Sequence, residues 1–261
     1  MTILDEIIAY KHIEVAERKA LQSMKLLERE VNFSLPVVSL KQGLLNANKS
    51  GIIAEYKRKS PSKGIINAIA KVEDVTTGYI KAGASALSIL TDEKFFGGSN
   101  ADVLLARKVN NCPILRKEFI VDEYQIVEAK SIGADAILLI AACLTKKQIN
   151  DLAKFAKSFG LEVLLELHGE DEFDKISPEV ELVGINNRNL KTFVVDIEQS
   201  KKFAAKIPEN FIKIAESGID SVEAIKDFKT HGFQGFLMGE HFMKTSQPEV
   251  ACAEFIKKLG S

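Results

Sequence analysis

In Ser131-Ile132-Gly133-Ala134-Asp135-Ala136-Ile137-Leu138-Leu139-Ile140 a helical pattern stops at a glycine, and an unbroken apolar run follows after one short polar step. Glycine is the residue that most readily ends a helix in the left-handed conformation. A short apolar run bounded by such a turn reads as a strand buried on both faces. The order is echoed in Lys81-Ala82-Gly83-Ala84-Ser85-Ala86-Leu87-Ser88-Ile89-Leu90 and, more loosely, in residues 230–239. Helix end, glycine, buried strand: its recurrence implies parallel βαβ units.

Working outward, eight such runs appear, at 52–57, 86–90, 113–117, 136–140, 163–167, 182–186, 211–216 and 235–239, with helical patterns between them. The segment 145–159 places Ile149, Leu152, Ala153, Ala156 and Phe159 on one stripe, with Thr145 as N-cap and Gly160 just past the end. Asp122 and Ser221 stand before similar patterns, and Pro248 suits the first turn of a last helix. Eight alternating units predict a (β/α)8 TIM barrel, with a doubly wound open sheet as the competing α/β arrangement. Ahead of the first strand, Leu4, Ile7, Ile8 and Val15 share a near-helical stripe through about Met24, residues 32–39 with Pro36 break it, and a shorter helix follows at 40–47. Such a helix is marginal alone in water. Residues 1–48 therefore read as an N-terminal helical extension packed on the barrel, and 1–261 as a single barrel domain.

The 261 residues carry a net charge of −1, with 46% apolar and 27% charged side chains. This is ordinary for a globular protein, and it argues against nucleic acid or an anionic membrane as the main partner. Cys112, Cys143 and Cys252 are odd in number and far apart, which disfavours both a disulfide framework and a metal site. The first ten residues carry Asp5 and Glu6 and lack the form of a signal peptide, and no apolar run reaches membrane-spanning length. A cytoplasmic protein is expected.

Chemistry collects at the strand ends, where barrel enzymes place their active sites. The first run passes into Glu55-Tyr56-Lys57-Arg58-Lys59-Ser60-Pro61-Ser62-Lys63-Gly64. Side chains alternate along a strand, so Glu55 and Lys57 share a face with Ile53, while Ala54, Tyr56 and Arg58 face the other way. The third run ends in Arg116-Lys117-Glu118, the fifth carries Glu166 and His168, the sixth ends in Asn186-Asn187-Arg188, and the seventh in Glu216-Ser217-Gly218. Five polar ends converging on one barrel mouth indicate an enzyme. Glycines after the seventh and eighth runs, Gly218 and Gly239, suit the loops where such barrels bind phosphate through backbone N–H groups, and Ser60 and Ser62 face them from the first loop.

These residues also carry a resemblance. The stretches 53–64, Leu115-Arg116-Lys117-Glu118-Phe119-Ile120-Val121, Leu164-Leu165-Glu166-Leu167-His168, Gly184-Ile185-Asn186-Asn187-Arg188-Asn189-Leu190 and Ala215-Glu216-Ser217-Gly218-Ile219, in that order, resemble the indole-3-glycerol phosphate synthase family, as does the opening 3–11. The resemblance implies a lyase of tryptophan biosynthesis. Its substrate would be 1-(2-carboxyphenylamino)-1-deoxyribulose 5-phosphate, and its products indole-3-glycerol phosphate, carbon dioxide and water, with no metal or organic cofactor. It further implies Lys117 as general acid, Glu166 as its acid/base partner in dehydration, and Glu55, Lys57, Asn186 and Glu216 as catalytic groups that orient substrate and stabilise charge. Phe119, Arg188, Leu138 and Leu190 would contact the substrate. Ser60, Ser217, Gly218, Gly239 and Glu240 would hold its phosphate. A monomer is expected, with association with other tryptophan-pathway enzymes left open.

Other readings stand beside this one. A barrel aldolase would use Lys117 or Lys57 as a Schiff-base nucleophile. A phosphoribosylanthranilate isomerase would need a Cys-Asp pair that these strand ends lack, and a non-enzymatic barrel would bind phosphate without turnover. Glu118 and Lys59 read as solvated charges, and His168 as a hydrogen-bonded spacer. His241 departs from the small residue more usual at that point of the family.

Overall fold

The structure, a computed structural model, describes residues 2–189 and 194–260. Eight parallel strands close into a barrel: β1 (Ile52–Tyr56), β2 (Ala86–Leu90), β3 (Ile114–Lys117), β4 (Ala136–Ile140), β5 (Glu162–Leu167), β6 (Leu182–Asn186), β7 (Ile212–Glu216) and β8 (Gly235–Met238). Closure is made by β8 on β1, with Ile53 opposite Leu237 and Ala54 opposite Met238, which rules out the open sheet. The helix-to-strand turns lie where the repeat placed them. Gly83, Gly133 and Gly232 have φ of 103°, 87° and 85°, a region costly for any residue with a Cβ.

Local signals account for the helices. Thr145 and Gln148 form a reciprocal capping box on helix Lys146–Ser158, and Asp122 and Gln125 do the same for Glu123–Ser131. Ser221 accepts from Ala224 N–H, and Pro248 opens the last helix, Pro248–Leu259. Helix Lys146–Ser158 buries Ile149, Leu152, Ala153 and Ala156, the stripe expected from their spacing.

Strand alternation divides the apolar residues into two layers. Ile53, Leu115, Leu138, Leu164, Leu182, Ile214 and Leu237 fill the barrel interior, while Ile52, Ala54, Leu87, Ile137, Val163 and Val183 face the helices. Helix Leu40–Leu45 sends Leu40 and Leu44 into the interior cluster. It stoppers the end of the barrel opposite the strand C-termini, and so leaves only the other mouth for chemistry.

The first helix, α1 (Ile3–Leu21), is capped by Thr2 with Asp5 and buries Ile7, Lys11 and Val15. It starts at the C-terminal mouth of the barrel, where Ile3, Leu4 and Ile7 line the cavity. It ends against helix Glu123–Ser131, where Tyr124 Oη donates to Arg18 O at 3.2 Å and Arg18 pairs with Glu128. No helix of the described residues is long and apolar enough to cross a membrane.

Candidate active site

A cavity of about 370 Å³ opens at the C-terminal ends of the strands. The parallel register delivers its charges: Asn186 lies opposite Glu216, Ile140 opposite Glu166, and Leu90 opposite Lys117. Lys117 Nζ lies 2.5 Å from Glu166 Oε2 and 2.8 Å from Glu216 Oε2. Glu166 Oε1 accepts from Asn186 Nδ2 at 3.1 Å and lies 3.0 Å from His168 Nε2. Across the mouth, Lys57 Nζ is 2.8 Å from Glu55 Oε1, and Ser88 Oγ donates to Glu55 Oε2 at 3.3 Å.

Burial alone would lower the pKa of Lys117, but the negative fields of Glu166, Glu216 and Glu55 and the hydrogen bond to Glu166 more than reverse it, so the ammonium is held above the ordinary lysine range. The two carboxylates sharing that ammonium are driven apart. Burial, with repulsion from Glu166, pushes the Glu216 carboxyl up to about 8 against the pull of Lys117. Burial works the same way on Glu166, but Lys117 and the contact with His168 outweigh it and hold the carboxyl well below its usual range. The trio thus combines an ammonium held charged, a carboxyl held ionised and a second carboxyl that keeps its proton more readily than an ordinary glutamate. It can donate and accept protons at adjacent points of one cavity.

The far end of the cavity is lined by Ser60, Pro61, Ser62, Ser217, Gly218, Gly239 and Glu240. Ser217 has φ of 64° and is the only non-glycine left-handed residue among the described residues; such strain costs of order 1–3 kcal/mol and concentrates at functional sites. Gly218 follows at φ 69°, and a Cβ there would meet Val195 Cγ1 at 2.2 Å. Arg188 Nη2 and Lys63 Nζ reach the Glu240 carboxylate at 3.6 and 3.5 Å. Arg188, the serine hydroxyls and the left-handed Ser217-Gly218 turn gather at this end, with the Glu240 carboxylate as the present partner of the guanidinium.

The chain matches the family model described as indole-3-glycerol phosphate synthase over residues 4–255. The chain belongs to the indole-3-glycerol phosphate synthase family. A family member from Bacteroides thetaiotaomicron is 49% identical over 257 residues, covering 98% of each chain. Another from Acinetobacter baylyi is 40% identical over 256 residues, covering 97% of this chain and 95% of its own. Among solved structures, the tryptophan synthase alpha subunit of Legionella pneumophila aligns with a TM-score of 0.61 over 84% of this chain and 96% of its own, at 13% identity. Thiamine phosphate pyrophosphorylase from Pyrococcus furiosus aligns at 0.60 over 85% of this chain and 100% of its own, also at 13% identity. These two likenesses concern the barrel fold.

Of the residues the family resemblance singles out, Glu55, Lys57, Ser60, Lys117, Phe119, Leu138, Glu166, Asn186, Arg188, Glu216, Ser217, Gly218, Gly239 and Glu240 all line this one cavity. Leu190 lies outside the described residues. His168 does not line it and touches Glu166 from the side. Tyr56 and Arg58 turn outward as alternation requires, Tyr56 Oη to Ala70 O at 2.6 Å and Arg58 to the Asp102 carboxylate. His241 lines the cavity and packs its ring edge-on to Phe242 and Phe255.

Glu118, expected as a solvated charge, is buried instead. It is 1% exposed, its Oε2 accepting from Thr91 Oγ1 at 2.7 Å and its Oε1 lying 2.9 Å from Lys11 Nζ. Lys59 is half-buried and donates to Lys94 O at 2.6 Å. Sequence reasoning also passed over Phe96 and the α1 residues Ile3, Leu4 and Ile7 as parts of the cavity wall. Their apolar spacing was visible, but an apolar stripe reads the same whether it covers a core or a ligand.

Proposed function

We propose that this chain is an indole-3-glycerol phosphate synthase, converting 1-(2-carboxyphenylamino)-1-deoxyribulose 5-phosphate to indole-3-glycerol phosphate, carbon dioxide and water. The observation that carries the reading is the Lys117 ammonium fixed between Glu166 and Glu216 inside the cavity, in a chain matched by that family over nearly its whole length.

In ring closure the aryl carbon bearing the carboxylate attacks the ketone carbon, and the ketone oxygen takes a proton. Lys117 is the donor, held charged by its carboxylate neighbours. Loss of carbon dioxide returns the bonding pair to the ring and restores aromaticity. In the dehydration that follows, the new hydroxyl leaves as water after accepting a proton, and a proton is removed from the adjacent methylene to form the double bond. Glu166 takes the acid/base part in this step, oriented by Asn186. Glu55, Lys57 and Glu216 hold the substrate and balance developing charge. Phe119 and Leu138 contact the ring, Arg188 contacts the sugar-phosphate chain, and Ser60, Ser217, Gly218, Gly239 and the backbone of Glu240 hold the phosphate. The protons come from side chains, so the reaction as proposed uses no metal or organic cofactor. The enzyme would act in the cytoplasm as a monomer.

The aldolase reading asks Lys117 to be a neutral amine nucleophile. Its carboxylate cage favours the ammonium, which disfavours that chemistry. Incubating the purified protein with the substrate and following indole fluorescence tests the proposal. Product formation without a borohydride-trapped lysine adduct is the expected result; substrate binding without product, or a trapped adduct, would overturn it.

A further inference from the structure

Beside strand residues such as Leu138 and Ile140, three separate pieces of chain add to the apolar part of the cavity wall: α1 with Ile3, Leu4 and Ile7, helix Glu93–Phe96 with Phe96, and the loop after β3 with Phe119. The Phe96 and Phe119 rings stand 5.8 Å apart, tilted by 37°. A carboxylate fixes the backbone behind each ring. Asp92 Oδ1 accepts from Phe95 N and Phe96 N at 2.7 and 3.2 Å. Glu118 Oε1 accepts from Phe119 N at 2.8 Å.

Both carboxylates converge on one ammonium. Lys11 Nζ lies 2.9 Å from Asp92 Oδ2, 2.9 Å from Glu118 Oε1 and 2.5 Å from Glu14 Oε2. Lys11 is 1% exposed and sits on α1 between Ile7 and Val15, one turn from each, where the buried stripe calls for a hydrocarbon side chain. A buried ion cluster is weak evidence of stability, since a packed apolar residue often does as well or better. A lysine here is better accounted for by what it holds in place. Glu118 is braced from its other side by Thr91, with Arg116 Nη2 at 4.0 Å, and Thr91 N–H donates to Lys117 O at 3.2 Å. The cluster thus adjoins the backbone of the proposed acid without touching its side chain.

We propose that Lys11 is a positioning residue for the aromatic end of the substrate: by pairing at once with Asp92 and Glu118 it joins α1, Phe96 and Phe119 into one aryl-binding wall. The inference rests on the proposed reaction only for the identity of the ring. A second, purely structural role would loosen the whole mouth and affect both ends of the cavity alike. The positioning role acts on the ring end and leaves the phosphate end, formed by the loops after β1, β7 and β8, as it was.

The test compares wild type, Lys11→Met and the triple variant K11M/D92N/E118Q. The triple variant removes the charges of Lys11, Asp92 and Glu118 while keeping amide oxygens to accept from Phe96 N and Phe119 N, and leaves Glu14 paired with Arg18. Both variants are expected to raise KM for the aryl substrate about ten-fold or more, with kcat within about three-fold of wild type. The inhibition constant of inorganic phosphate, measured against the same substrate, is expected to stay within about two-fold. An unchanged KM in a folded variant overturns the proposal, as does an equal loss of phosphate inhibition. If neither variant folds, Lys11 serves stability alone and the proposal is equally overturned. Wild-type turnover reports separately on the reaction itself, so failure of that reading is distinguishable from failure of this one.

Discussion

Glu216 occupies the space that a side chain on Gly184 would need: a Cβ built on Gly184 would fall 2.3 Å from Glu216 Oε1. Gly184 is strand β6 backbone two residues before Asn186, opposite Glu166 on β5 and Ile214 on β7. Its missing side chain is what lets the Glu216 carboxyl lie inward beside Lys117. A similar relation holds at Gly239, where a Cβ would fall 2.7 Å from Glu55 Oε1.

Gly184→Ala is therefore expected to displace Glu216 from Lys117 and lower kcat about 100-fold, the size of effect that misplacing a positioned group beside the chemistry can have. Because the φ of Gly184 is not left-handed, the variant should fold. Steady-state kinetics with thermal unfolding checks this, and a kcat within a few-fold of wild type would show that the carboxyl has another place to sit.

Glu166→Gln keeps the shape and the amide contact with Asn186 but cannot cycle a proton. Turnover should fall by about two orders of magnitude or more, with the loss in dehydration. Quenched-flow analysis should find the cyclised, decarboxylated, still-hydroxylated species accumulating. A rate within a few-fold of wild type would remove Glu166 from its proposed role.

The pH dependence of stability carries a sign. In the unfolded chain a glutamate titrates near its ordinary value of about 4.3, whereas burial and Glu166 push folded Glu216 up to about 8. Between those values the folded chain holds a proton that the unfolded chain has released, so this contribution is complete below the lower value and is lost as pH rises through the upper one. Glu166, held well below its usual range, contributes in the opposite sense, but its loss falls in acid outside this window. Glu216→Gln has no proton to lose. Its melting temperature should gain on that of wild type as pH is raised from about 6 to about 9; parallel curves would mean that Glu216 ionises normally.

At the closed end of the barrel, Leu44 is 5% exposed and packs within the interior cluster. Leu44→Ala should cost about 2–5 kcal/mol in urea unfolding while leaving kcat and KM unaltered, since the cavity lies at the opposite mouth. A large kcat change would mean that the two ends are coupled.

The strands and their order were legible because strands buried on both faces leave uninterrupted apolar runs, and because a left-handed glycine marks several returns to the sheet, at Gly51, Gly83, Gly133, Gly160 and Gly232. Alternation from Ile53 correctly turned Glu55 and Lys57 inward and Tyr56 and Arg58 outward. Less legible were contacts made by distant chain. Glu118 reads as solvated beside Lys117, and only the fold brings Lys11, more than a hundred positions earlier, onto its carboxylate. A lysine within the Ile7 to Val15 stripe was the one available sign. The room made by Gly184 was only half legible, since a glycine inside a strand pattern shows a close approach without showing by what.

In the proposed reaction the Lys117 ammonium, caged by Glu166 and Glu216, delivers the proton that closes the indole ring. Its most direct test is the initial rate of indole fluorescence from 1-(2-carboxyphenylamino)-1-deoxyribulose 5-phosphate with Lys117→Ala beside wild type, each checked for folding and for inhibition or binding by phosphate. Wild type should form indole-3-glycerol phosphate, and the variant should retain phosphate binding with turnover lost. Near-normal turnover in Lys117→Ala would rule out Lys117 as the proton donor.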